Sequence, residues 1–144
     1  MSRLRLFCAL GLLSATMTIS WSAQADAPVP IALAGLQPGQ WALRSRDGSA
    51  PPKTLCLGDP RALLQLRHGT ALPCSRYVIV NRPAEAVVHY SCASAGNGRT
   101  TIRVETPRVI QIESQGVQGK EPFDLTYEGR RVGICPIPGS TAQR

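Results

Sequence analysis

Residues 99–113, R-T-T-I-R-V-E-T-P-R-V-I-Q-I-E, decide the fold. On both sides of Pro107 apolar and polar residues alternate, the two-residue period of strands with one buried face. A strand over 99–105 puts Ile102 and Val104 inward and Arg103 and Glu105 outward, and one over 109–113 puts Ile110 and Ile112 inward. A one-residue slip would turn every apolar side chain to the wrong face. Val104 is therefore set opposite Ile110, which centres the hairpin on Pro107 with an odd number of loop residues.

The same period extends outward. Residues 76–80 and 86–92 are rich in Val, Ile and Tyr and flank Asn81-Arg82-Pro83-Ala84-Glu85. Centring that hairpin on Pro83 sets Val80 against Ala86, Val78 against Val88 and Arg76 against Tyr90. Gly96-Asn97-Gly98 reads as a turn and 115–119 as a glycine-rich loop. A last hairpin is expected to pair Phe123, Leu125 and Tyr127 with Val132 and Ile134 about a Gly129-Arg130 turn. Upstream, 40–46 forms a strand with Trp41 and Leu43 on one face, Asp47-Gly48 turns, and 53–57 follows Pro51-Pro52 as the next strand. One short helix is marked by Asp59 as N-cap, Pro60 in the first turn, an apolar side of Leu63, Leu64 and Leu66, and Gly69 at the end. These elements predict a mainly β fold: an antiparallel β-meander, sandwich-like or barrel-like, with one short helix and disulfide staples.

The 144 residues suit one such domain, and an apolar share of 43% with 17% charged excludes a wholly disordered chain. No run of 18 apolar residues is long enough for a transmembrane helix. Residues 1–25 read as a secretory signal peptide: Arg3 and Arg5 lead an apolar stretch over 6–19, and Ala23-Gln24-Ala25 is a small-x-small cleavage site. The cut falls between Ala25 and Asp26, leaving no transmembrane anchor and a periplasmic or secreted product. Residues 26–38, with three prolines, read as an extended lead-in, 39–135 as the β-rich domain and 136–144 as a disordered tail. The mature chain carries fourteen basic groups against nine acidic ones, a net of +5 where the whole chain has +7.

Cys8 leaves with the signal, so four cysteines remain, and an even count behind a secretory signal is the form of a disulfide framework. Four cysteines allow three connectivities. Extending the 76–92 register puts Cys74 opposite Cys92, while Cys56 and Cys135 share a face, out of phase with Leu55, Leu57, Val132 and Ile134. This favours Cys74–Cys92 with Cys56–Cys135; the alternative joins Cys56 to Cys74 around the helix and Cys92 to Cys135. No C-x-x-C unit marks a redox site, and no Cys or His pair has zinc-finger spacing.

Candidate chemistry is sparse. His89 has the parity of a solvent-facing strand residue, and His68 stands in the last turn of the helix, where the dipole favours positive charge. No nucleophile elbow, H-E-x-x-H, Walker or dinucleotide-binding motif is present, so no catalytic, cofactor-binding or metal-ligating residue is assigned. Twelve Arg against two Lys in the mature chain reads as codon bias, and Arg130-Arg131 is the one tight basic pair. Nucleic acid is not an expected partner, since no aromatic stacking platform is evident; weak contact with anionic envelope lipid or glycan is compatible with the charge.

Pro38-Gly39-Gln40-Trp41, Cys56-Leu57, Cys74, Cys92 and Arg130-Arg131-Val132-Gly133-Ile134-Cys135 together resemble domain-of-unknown-function family 3617. Its members are small exported bacterial proteins with a Gly-Leu-Trp motif and four cysteines; here Gln40 stands in place of the Leu. The resemblance spans roughly residues 36–135 and implies location, size and fold, with no activity to transfer. The sequence thus points to a non-catalytic binding or envelope-maintenance module. The alternatives are an envelope hydrolase and a protein-directed inhibitor presenting a loop such as 115–119.

Overall fold

The structure, a computed structural model, describes residues 28–48 and 50–136. The expected signal peptide, its Ala25/Asp26 junction and nearly all of the expected tail lie outside the described residues. Seven antiparallel strands form one sheet: β1 (Gly39–Ser45), β2 (Lys53–Leu57), β3 (Ser75–Asn81), β4 (Glu85–Ser91), β5 (Gly96–Thr106), β6 (Val109–Gln118) and β7 (Glu121–Gly133). Their spatial order is β2-β1-β7-β6-β5-β4-β3. From β3 to β7 the chain is a plain meander, and β7 then pairs with β1, which carries β2 on its far side. The expected mainly β, antiparallel architecture is therefore observed.

One face of the sheet is buried. Trp41, Leu43, Val88, Ile102, Ile110, Ile112 and Tyr127 form its core with Leu33, Leu36, Leu57, Leu63 and Leu64. Full burial of such side chains contributes about 1.5–3 kcal/mol each, which is what holds the covering segments down. One of these segments is the expected helix, which is a 3-10 helix, Pro60–Gln65, capped by Asp59 through the Arg61 N–H. The other is a departure from the extended lead-in: Ile31–Ala34 makes one α-helical turn, α1, with Ala32 and Leu33 buried. The prolines suggested extension, but Pro30 stands at the N-cap, where a missing N–H costs nothing.

Both hairpin registers read from alternation are present at their cores: Val104 faces Ile110, and Val78 and Arg76 face Val88 and Tyr90. Near the turns each carries a bulge that sequence parity could not reveal. Thr106 pairs with Val109, and Val80 pairs with Val87 rather than with Ala86.

Three turn assignments are corrected. Gly96-Asn97-Gly98 opens strand β5, and the chain turns instead through the 3-10 helix Ala93–Ala95. The 115–119 loop is mostly strand: β6 runs to Gln118, and the reversal uses Gly119-Lys120, with Gly119 at φ +62°. Gly129-Arg130 is no turn, because β7 continues through it between β1 and β6, with Gly129 opposite both Leu43 and Ile110. A Cβ there would lie 2.8 Å from Ile110 Cγ1 and 3.0 Å from Leu43 Cδ2, so this glycine makes room for two large neighbours. Because the strand does not reverse, Val132 and Ile134 keep the outward parity and are 57% and 80% exposed, not inward as expected.

Candidate binding face

Two disulfides join the four cysteines as parity favoured: Cys74–Cys92 across the end of the β3–β4 hairpin and Cys56–Cys135 between β2 and the chain beyond β7. Their Cα separations are 4.1 and 5.4 Å. All four sulfurs are thus committed to staples. Trp41 is wholly buried, and its indole N–H donates to the Gln37 carbonyl at 3.0 Å, so it is core. The basic pair is divided between faces. Arg130 points outward to Glu128, whereas Arg131 is half-buried and donates to the Pro38 carbonyl at 2.8 Å.

His68 is not exposed at a helix end. It is buried against the inner face, edge-on to Tyr90 and Phe123, with Nδ1 3.1 Å from the Tyr90 hydroxyl and Nε2 3.0 Å from the Ala95 carbonyl. A carbonyl only accepts, so Nε2–H donates to it, and Nδ1 shares its hydrogen bond with the tyrosine hydroxyl. Nearby, the Thr100 hydroxyl donates to the Leu64 carbonyl, and Ser114 lies 2.8 Å from Thr100. Gln65 receives Arg76 and donates to the Gly69 and Leu72 carbonyls. Among the described residues no buried side-chain polar atom lacks a partner. A satisfied network of this kind locks the 59–72 segment onto the sheet.

The outer face divides into two halves. In the half nearer the β5–β6 turn the charges neutralise one another. Arg103 bridges Glu113 at 3.1 Å and Glu85 at 3.5 Å, Arg130 holds Glu128 at 2.6 Å, and Gln111 donates to Glu105 and accepts from Arg46. The Arg130 hydrogen bond holds the Glu128 carboxyl below its usual range, and Glu128 in turn pushes the Arg130 guanidinium further up.

The other half is unspent. A groove of about 420 Å³ is lined by the polar side chains of His89, Asn97, Arg99, Gln115 and Asp124, with Val117, Phe123 and two glycines between them, and it shares Arg99, Gln115 and Asp124 with a second cavity of about 260 Å³. Among the described residues none of these five side chains makes a hydrogen bond or ion pair, and all five are exposed. Together they offer guanidinium, amide and imidazole donors and carboxylate and amide acceptors to whatever lies in the groove. His89 is solvent-facing as parity required, but its neighbours across the sheet were not legible. Nothing local marks Arg99 among the twelve arginines of residues 26–144, and Asp124 alternates with Phe123 and Leu125 as any solvent-facing strand residue does.

Neither histidine is ion-paired to a carboxylate, and no group of three His, Cys, Asp or Glu side chains could hold a metal, among the described residues. Nor is any helix there long and apolar enough to cross a membrane. Compared with family models, curated proteins and solved structures, the chain matches none.

Proposed function

We propose that this chain is an exported, non-catalytic module that binds a polar ligand of the cell envelope on the outer face of its sheet. The observation that carries the reading is the contrast within that face, where one half is closed by internal ion pairs while the groove half keeps its hydrogen-bonding groups free. Free polar groups converging on one concavity are the ordinary form of a specific binding site. Export is supported by the signal-like N-terminus and by two disulfides, which persist in oxidising compartments. The resemblance to family 3617 agrees with this location and adds no activity. Of the alternatives, the hydrolase lacks an acid–histidine pair among the described residues, and the inhibitor loses its loop to strand β6.

The test is comparative co-purification from the native envelope fraction, with mass spectrometry of what is retained by the wild type and by an Arg99→Gln/Asp124→Asn variant. A component held by the wild type and lost from the variant is the expected result. Identical retention would overturn the assignment of the face. N-terminal sequencing is expected to begin at Asp26, and a start at Met1 would overturn export.

A further inference from the structure

We infer that the ligand is an extended, uncharged glycan chain laid across the strands; this rests on the binding reading above. Strand register places Tyr77, His89, Arg99, Gln115 and Asp124 in one row over β3, β4, β5, β6 and β7, each opposite the next. With strands about 4.8 Å apart the row is about 19 Å long, the dimension of an oligomer rather than a single small molecule. All five residues are exposed on the outer face, and Tyr77, 71% exposed, stands at one end.

The chemistry of the row selects among polymers. A pyranose has a C–H face that packs on an aromatic ring and hydroxyls that both donate and accept. Tyr77 supplies the ring, and Arg99, Gln115 and Asp124 are planar groups able to engage two neighbouring hydroxyls each. The charge of the row cancels, Arg99 against Asp124 with histidine counted neutral, and the adjacent Glu113 is already held by Arg103. A polyanion or an anionic lipid surface would need a positive excess here. A peptide adding to the sheet would run along an edge strand, whereas this row crosses five strands at right angles. The groove is open to solvent and has Arg99, Gln115 and Asp124 in common with the neighbouring cavity, so an extended chain can lie there without its ends being enclosed.

The test is a two-dimensional amide NMR titration of the exported chain with chitotetraose and, separately, cellotetraose. The expected result is saturable shifts along the row with at least one tetrasaccharide, weakened about tenfold by Arg99→Gln or Asp124→Asn, the loss of one charge-assisted hydrogen bond. Tyr77→Ala is expected to weaken binding comparably and Tyr77→Phe to restore it. These positions are exposed, so the variants fold. Absence of saturable shifts with both sugars, or shifts indifferent to all three sites, overturns the glycan assignment. So does sedimentation with phosphatidylglycerol vesicles that Arg99→Gln abolishes. A non-carbohydrate component captured from the envelope and lost with the double variant would overturn the glycan alone, while capture indifferent to the variant removes the binding reading as well.

Discussion

His68 and Tyr90 show how little a residue's neighbours in sequence say about its role. A histidine near the end of a short helix suggests a charge on a dipole, yet the ring is buried with both nitrogens satisfied. Gly98 serves this pair, since a Cβ there would lie 2.5 Å from the Tyr90 hydroxyl oxygen. Tyr90→Phe leaves His68 Nδ1 without its partner and is expected to cost about 1–3 kcal/mol at neutral pH by urea denaturation. Burial also pushes the Tyr90 phenol above the ordinary value of 10.0. A group raised on folding contributes stability in full below its unfolded value, and that contribution is lost as pH rises through the folded one. The wild type should therefore lose stability above pH 10 more steeply than Tyr90→Phe; equal slopes would show that this phenol is not coupled to folding. Tyr127, raised by burial too, titrates in both proteins and does not affect the comparison.

At the scale of elements, the two hairpins were readable because period-two alternation and a short connection constrain register together. Val78 opposite Val88 and Val104 opposite Ile110 follow from that alone. Strand β7 departs from the expected hairpin because glycine is ambiguous: Gly129 satisfies the rule for a tight turn and equally the needs of a strand squeezed between Leu43 and Ile110. Gly129→Val is accordingly expected to destabilise by about 1–3 kcal/mol through overpacking, while Gly35→Ala, where a Cβ meets nothing, stays near neutral. Thermal unfolding of the two variants side by side checks this. The α1 turn is likewise part of the core rather than a lead-in. Leu33→Ala, at a wholly buried position, should cost about 2–5 kcal/mol by the same measurement.

For the whole molecule, the staples differ in reach. Cys56–Cys135 spans 79 residues and Cys74–Cys92 spans 18. Restriction of the unfolded chain gives about 4.5 kcal/mol for the longer loop and about 3 kcal/mol for the shorter. Replacing Cys56 and Cys135 by Ala should therefore lower the urea-derived stability more than replacing Cys74 and Cys92; the reverse order would show that the unfolded chain is not the main point of action. Local alternation and composition were enough to determine a mainly β antiparallel chain and its inward residues on six strands, and cysteine parity favoured the disulfide pairing that the structure then decided. Each of these depends on residues close in sequence or on side-chain phase along one strand. Only the tertiary structure decided that β7 inserts between β1 and β6, bringing Trp41 opposite Arg131, and that Tyr77, His89, Arg99, Gln115 and Asp124 fall into one row. Pairing between distant strands depends on which packed faces exclude water best across the whole sheet, and no local period encodes that sum.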